Sequence, residues 1–308
     1  MHLNTFIIKT GESETWINDQ FDTISFGDVL RTTAILPVIE SANIKWIGSK
    51  KTSPLIPTLD NLQFVPIDEL IINEIVLNQN NFLINLEKID LMKQFNLKDR
   101  KNFCGFFWLE NEWYLKNIKG DIFTLSAWIK HSLDLNAITW GAKLQLLLGK
   151  VQSKTSATLN QSLIQTKYDI GLNWQVGPKW PSKQIPEDNW KKIEDMLSKN
   201  YKVSWQEGYD SLGHYMEWIQ SCRLIITTDS LGLHLAIAYQ KPVIALFGAT
   251  SSFDVDKNDN TIFLNLEMPP EFECRPCFRP KCDQKIHCSN FIDFNLIKEN
   301  VIRILNAK

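Results

Sequence analysis

Four groups of side chains in this sequence have types and spacings that could do chemistry. The first is Gly27-Asp28, at the head of an apolar stretch with helical spacing. A carboxylate in the first turn of a helix is favoured in its charged form by the helix dipole, which suits a base that stays ionised at neutral pH. An acidic residue there can also do no more than stabilise its helix. The second group is Lys179 and Lys183, in a Gly/Pro/Trp loop between a strand and a helix. A cation so placed can clamp a diphosphate, and a solvated lysine is the plain alternative. The third is Thr227-Thr-Asp-Ser-Leu-Gly-Leu-His, where Asp229, Ser230, Gly232 and His234 sit between a β-branched run and a helical one. A helix N-terminus at the carboxyl end of a buried parallel strand favours an anion. The same pattern fits an ordinary well-capped helix, with His234 a satisfied core histidine. The fourth is Cys274, Cys277, Cys282 and Cys288, four of six cysteines within one short segment. In a reducing compartment disulfides explain them poorly. A structural zinc or iron held by four thiolates is chemically reasonable, against free thiols or an oxidised pair.

Other signals are weaker or absent. Asp254 and Asp256 have the spacing to hold a divalent ion beside a diphosphate, but lie in a polar run that reads as a solvated loop. No H-E-x-x-H, G-x-S-x-G or Walker-type loop occurs, and no G-x-G-x-x-G follows the first strand. Zinc hydrolase, serine hydrolase, P-loop and standard nicotinamide chemistry are therefore disfavoured.

The elements that must position these groups alternate. Strands are expected at 5–9, 44–48, 62–66, 81–86 and 103–108, with a helix over 27–39 that Pro37 kinks or ends early. Trp113 and Tyr114 mark a short hairpin or loop excursion, and 124–150 reads as two helices. After a Ser/Thr/Gln-rich stretch at 153–165 the alternation restarts. Strands are expected at 168–174, 201–205, 222–227, 243–247 and 261–265, with helices at 188–197, 214–221, 229–241 and 294–306. Alternation of this kind indicates α/β layers, here two Rossmann-like lobes in series with a cleft between them. Length and composition agree: 308 residues, 44% hydrophobic and 22% charged, suit two globular domains. A net charge of −2 argues against nucleic acid as a partner of the whole molecule. The first residues read as a strand rather than a signal peptide, and no apolar run is long enough to span a membrane, so a cytoplasmic protein is expected.

Taken together, the motifs resemble those of the ADP-heptose-dependent heptosyltransferases of lipopolysaccharide assembly, glycosyltransferase family 9. The resemblance runs through most of the chain in order. It rests on Gly27-Asp28-Val29 with Thr32-Thr33, Asn85-Leu86-Glu87-Lys88, Lys183 to Pro186 with Trp190, Asp229-Ser230 with His234, Pro242 to Thr250, and Cys274-Arg-Pro-Cys277. The chain departs from the pattern in its longer loop before Gly27, in Ile185 where tryptophan is usual, and in a glycine delayed to Gly232.

The resemblance implies an α/β GT-B fold of two Rossmann-like domains facing across a cleft. They would be an acceptor-binding domain at 1–160 and a nucleotide-sugar-binding domain at 161–291 carrying the Cys-rich loop 274–288. A closing helix in 292–308 would pack back on the first domain. It implies inverting, metal-independent transfer of a heptose or related sugar from an ADP-sugar donor to a saccharide or glycolipid acceptor such as lipopolysaccharide core. No cofactor is required for catalysis, zinc or iron at the Cys cluster being structural, and peripheral contact with the inner face of the membrane fits such an acceptor. Asp28 matches the proposed base, Lys183 the lysine on the donor diphosphate, and Asp229, Ser230, Gly232 and His234 the donor-binding loop. The alternatives are a protein-directed heptosyltransferase, a non-catalytic nucleotide-sugar-binding or assembly module, and a sugar-nucleotide epimerase.

Overall fold

A computed structural model of the chain describes residues 2–11, 24–124, 127, 139–150, 155–208, 211–266, 274 and 276–306. The chain divides into two compact units, Met1–Leu159 and Asn160–Lys308.

The first unit is built on a seven-stranded sheet. Its strands are β1 (His2–Ile8), β2 (Ser41–Gly48), β3 (Leu62–Pro66), β4 (Phe82–Asn85), β5 (Phe103–Leu109), β6 (Glu112–Lys116) and β7 (Ile122–Thr124), in the order β3-β2-β1-β4-β5-β6-β7. The first five are parallel, and all but the half-exposed edge strand β3 contribute buried residues, among them Ile8, Ile47, Leu83 and Phe103. The aromatic stretch read as hairpin or loop is a hairpin. Its two-residue turn, Glu110-Asn111, takes φ of 50° and 64°, the left-handed pair that matches strand twist. Cross-strand rings tie it, Trp108 to Trp113 at 5.3 Å and Phe107 to Tyr114 at 5.7 Å.

The helix expected over 27–39 is an α-helix only over Phe26–Thr32 and continues as a 3-10 helix over Thr33–Val38. Pro37 is the cause. It has no N–H for the carbonyl of Thr33, and its ring would clash with that carbonyl in α geometry. Of the two helices read in 124–150, Trp140–Leu147 is described, and the other falls outside the described residues except for Ala127.

The second unit holds a five-stranded parallel sheet of β8 (Tyr168–Asn173), β9 (Val203–Trp205), β10 (Cys222–Thr228), β11 (Val243–Phe247) and β12 (Thr261–Asn265), in the order β12-β11-β10-β8-β9. Its central strands are apolar on both faces, as a covered parallel sheet requires. Helix Glu187–Leu197 buries Trp190, Ile193 and Leu197 against this sheet.

The last helix is Phe294–Asn306. Its apolar stripe, Ile297, Val301 and Leu305, joins the core of the second unit, and Arg223 Nη2 donates to its Leu305 carbonyl at 3.2 Å. The helix expected to pack back on the first domain buries this face at home.

Both sheets reverse strand order beside a central strand, between β1 and β4 in the first unit and between β8 and β10 in the second. At such a point two connections leave the sheet in opposite directions and open a crevice at the carboxyl ends. Asp28 follows β1, and Lys183 and Asp229 follow β8 and β10, the strands on either side of the second reversal.

Candidate functional site

In the second unit the crevice is floored by Asn173, at the end of β8. Its Nδ2 donates to Thr227 Oγ1 at 2.8 Å and to Ser230 Oγ at 2.9 Å, and Tyr215 donates its hydroxyl to Asn173 Oδ1. Asn173 is fully buried, so these bonds fix Ser230. Ser230 is indeed the N-cap of helix Leu231–Ala238, but its hydroxyl makes no cap bond. The side chain is held sideways by Asn173, which leaves the first-turn amides without a side-chain cap.

Gly232 serves this network. A Cβ there would stand 2.4 Å from Asn173 Nδ2 and 2.5 Å from the Tyr215 oxygen. Its missing side chain makes room for the asparagine and tyrosine, a packing requirement rather than one of ligand approach. The helix ends in a Schellman motif, with Lys241 N donating to Ala236 O at 2.9 Å and Gln240 N to Ile237 O at 3.0 Å. Gln240 supplies the left-handed residue at φ 56°.

Asp229 follows β10 directly and gathers the charged groups. Lys183 Nζ lies 2.8 Å from its Oδ2, Thr250 donates Oγ1 to the same oxygen at 2.7 Å, and His234 Nε2 is 3.7 Å from Oδ1. The Lys183 and Asp229 side chains are 18% and 10% exposed. Lys183 also stands over the Trp180 ring at 5.2 Å, which limits where its stem can go.

Lys183, Asp229, Thr250, His287 and Cys288 line one cavity, together with Thr228. Thr228 Oγ1 is buried without a hydrogen-bond partner among the described residues. A buried hydroxyl left without a partner is unfavourable. Asn173, Tyr215, Thr228 and Thr250 were not singled out in the sequence. Only Thr250 had a signal, as the end of the Pro242 to Thr250 match.

In the first unit Asp28 is the third residue of its helix and is half-buried. Ser25 donates Oγ to Asp28 Oδ2 at 2.5 Å, and Ser25 N donates to Gly11 O at 2.9 Å. Gly11 N in turn donates to Glu87 Oε2 at 2.9 Å, and Lys9 Nζ pairs with the same oxygen at 3.0 Å. Gly11 takes φ 80°, and a Cβ there would meet Ile24 at 2.8 Å and Val29 at 2.9 Å. The Glu87 of the Asn85 to Lys88 motif is thus an anchor beneath Asp28. Residues 12–23, the greater part of the long early loop, lie outside the described residues.

The four cysteines do share a cavity, with Ile286 and His287. Burial, and then the thiols of Cys282, Cys277 and Cys274, push the Cys288 thiol up to about 11. Yet among the described residues no three His, Cys, Asp or Glu side chains are arranged to hold a metal ion. Cys277 Sγ faces Ala249 O at 3.8 Å, Cys288 Sγ lies against Gly248, and Cys282 is exposed. As placed, the residues do not fit the structural zinc or iron expected of them, and all six cysteines are free. Nor is the segment around Asp254 a solvated loop throughout. Asp256 and Asn258 are buried, and Asn258 Nδ2 reaches Lys241 O at 3.2 Å.

Comparison with known proteins bears on the family and the fold. The family model for glycosyltransferase family 9 (heptosyltransferase) matches residues 208–285, the segment that holds Asp229, the helix Leu231–Ala238 and most of the Cys-rich loop. No curated protein matches the chain.

Among solved structures, ADP-heptose lipopolysaccharide heptosyltransferase II of E. coli aligns over 99% of this chain and 99% of its own, with a TM-score of 0.62 and 12% identity. E. coli heptosyltransferase WaaC with ADP aligns over 98% and 99%, with a TM-score of 0.56 and 12% identity. The iron-containing dodecameric glycosyltransferase TibC of enterotoxigenic E. coli aligns over 99% of this chain and 77% of its own, with a TM-score of 0.54 and 11% identity. The fold is the two-domain α/β fold of these GT-B-like heptosyltransferases, as the resemblance in sequence implied. No helix among the described residues is long and apolar enough to cross a membrane.

Proposed function

We propose that the chain is a glycosyltransferase of family 9, moving heptose or a related sugar with inversion from an ADP-sugar to a saccharide acceptor such as lipopolysaccharide core. The observation that supports this best is the second unit's cavity, where Lys183 and Asp229 meet beside the orphan Thr228 hydroxyl and an uncapped helix start. An ammonium, a hydroxyl without a partner and first-turn amides together suit a diphosphate. The match to the heptosyltransferase family over 208–285 covers part of this site, and one of the similar structures holds ADP.

In this reading the second unit binds the donor. Lys183 and the helix start take up the negative charge that grows on the departing diphosphate, with no divalent ion assigned to that role. Ser230 and His234 stand where the sugar or its phosphate would be read, and Gly232 acts indirectly by admitting Asn173. The first unit supplies acceptor binding and the base. Asp28 takes the proton of the acceptor hydroxyl, the oxygen bonds to the anomeric carbon, and the bond from that carbon to the ADP oxygen breaks, leaving ADP. Its bond from Ser25 and the Glu87 to Gly11 anchor fix where that carboxylate points. A cytoplasmic setting at the inner face of the membrane would suit a glycolipid acceptor.

The test is sugar transfer by purified protein with ADP-heptose and core acceptor. Asp28→Ala should lower kcat by about 10²–10⁴-fold while ADP affinity stays near that of the unaltered chain. If kcat holds, Asp28 is not the base.

A further inference from the structure

Among the described residues the Cys-rich segment holds no metal arrangement, yet it is bonded to the turn that carries Lys183. All three polar atoms of Ser182 are used. Ser182 N donates to Pro280 O at 2.9 Å, and Ser182 Oγ donates to Arg279 O at 2.5 Å. His287 Nε2 stands 3.1 Å from Ser182 O. The tautomer follows from the other ring nitrogen. Ser289 N donates to His287 Nδ1 at 3.2 Å, so Nδ1 is the acceptor and Nε2 carries the hydrogen given to Ser182 O. Ser182 is 3% exposed, so water does not compete for these bonds.

The segment is itself tied at two further points. Phe278 N donates to Ala249 O at 2.9 Å, beside Thr250, and Asn189 Nδ2 donates to Ser289 O at 3.1 Å. It therefore joins the turn Pro181–Lys183, the loop after β11 and the start of helix Glu187–Leu197. A lysine has four rotatable bonds and loses much freedom when its ammonium is fixed. The contact with Asp229, itself held by Thr250, fixes one end of that side chain, and the Ser182 bonds fix the backbone at the other.

We propose that Ser182 and His287 are positioning residues, and that the segment 274–289 is a brace which sets Lys183 against Asp229 for donor binding. The proposal rests on the donor-site reading above, and it assigns the Cys-rich segment a task that needs no metal. Loss of the His287 bond frees the turn, so ADP should bind more weakly by the worth of one buried neutral hydrogen bond, about 3–10-fold.

The experiment measures ADP affinity by calorimetry for His287→Ala and His287→Gln, each with Lys183 and with Lys183→Met. Glutamine can offer an amide hydrogen to Ser182 O, so His287→Gln should lie within about 3-fold of the unaltered chain. With Lys183→Met in place, His287→Ala should cost nothing more, since it acts only through that ammonium. A second readout needs no nucleotide: the rate at which acetic anhydride modifies Lys183, followed by mass spectrometry, should rise in His287→Ala and in Ser182→Ala. Equal losses of ADP affinity in the two Lys183 backgrounds, or an unchanged modification rate, overturn the brace while leaving the donor site standing. An unaltered chain that binds no ADP overturns the donor site, and with it the brace's part in donor binding.

Discussion

Lys183→Met separates a structural role of the ammonium from a binding role, because the thioether keeps most of the stem and removes only the charge. On the structural side, Asp229 Oδ2 loses its partner at 2.8 Å and keeps the Thr250 hydroxyl at 2.7 Å. Removing one member of a fully buried pair costs about 3–5 kcal/mol. Here the side chains remain 18% and 10% exposed, so some hydration returns and about 1–3 kcal/mol is expected. At about 2–4 °C per kcal/mol for a chain of this class, thermal unfolding should show it clearly. On the binding side, a charge-assisted contact to phosphate is worth about 1.5–3 kcal/mol, so ADP should bind about 10- to 150-fold more weakly. Lys183→Met with Asp229→Asn tells the two apart. Asparagine still accepts from Thr250 and leaves no unpaired charge, so the double variant should regain most of the lost stability. Its ADP affinity should rise only by the repulsion that the unpaired carboxylate caused, and remain well below that of the unaltered chain. If Lys183→Met loses stability while its ADP affinity stays within about 2-fold, the lysine is a structural partner of Asp229 and the donor-site reasoning fails.

Three further outcomes follow from single contacts. Thr228→Val removes a buried hydroxyl with no partner among the described residues, so thermal stability should hold or rise while ADP affinity falls about 3–10-fold; calorimetry showing the reverse would make Thr228 a structural residue. Gln240→Gly should stabilise the fold by about 0.5–1 kcal/mol in chemical denaturation, because φ 56° strains a side-chain-bearing residue; a net loss would mean that the bond from Gln240 Nε2 to Ile237 O outweighs the strain. Burial holds the Cys288 thiol at about 11 against an ordinary 9.0, so at pH 8 its thiolate is about 100-fold scarcer than that of an ordinary thiol. Iodoacetamide followed by mass spectrometry should label exposed Cys282 well before Cys288, and the gap should close as pH rises toward 11. The unfolded thiol releases its proton first, so the same shift lowers folding stability as pH climbs from 9.0 to about 11. Equal labelling at pH 8 would mean that Cys288 is open to solvent.

What could be read in advance, and what could not, divides along a physical line. Parallel strands buried on both faces announce themselves as β-branched runs, and Cys222–Thr228 and Val243–Phe247 lie where such runs predict. Pro37 signalled a disturbed helix, though whether it would kink or shorten it depended on the carbonyl of Thr33. The site divides in the same way. Asp229, Ser230 and His234 are neighbours in sequence and could be grouped there. Asn173, Thr250 and Ser182 come to them from other strands and turns, through side chains whose direction no local pattern sets. Gly232 was assigned to a donor-binding loop by the family resemblance. Its reason is the space taken by Asn173 and Tyr215, which lie 59 and 17 positions away in sequence. The cysteines misled most, since spacing suggests a metal and says nothing of where each sulfur points.

Each unit places a lysine and a carboxylate where its sheet reverses order, and comparing the two pairs shows why one is taken for a binding site. Lys9 and Glu87 meet at 3.0 Å with side chains 11% and 5% exposed, and Glu87 also takes the Gly11 amide. That pair is closed over by the chain it fastens, so it has little left to offer a ligand. Lys183 and Asp229 meet at 2.8 Å with somewhat more exposure, along a cavity also lined by Thr228, whose hydroxyl has no partner among the described residues. A buried ion pair on its own is weak evidence for anything, since desolvation offsets most of its attraction. The pair in the second unit differs by what surrounds it: a lysine braced at its backbone, a carboxylate held by Thr250, and a polar atom left unsatisfied. Of these only the unsatisfied hydroxyl costs free energy in the protein alone, and in the proposed reading an anion with oxygens to share would offset that cost. Removing the orphan hydroxyl and removing the ammonium should therefore weaken the same ligand, whereas breaking Lys9 from Glu87 should show first in stability and in the placing of Asp28.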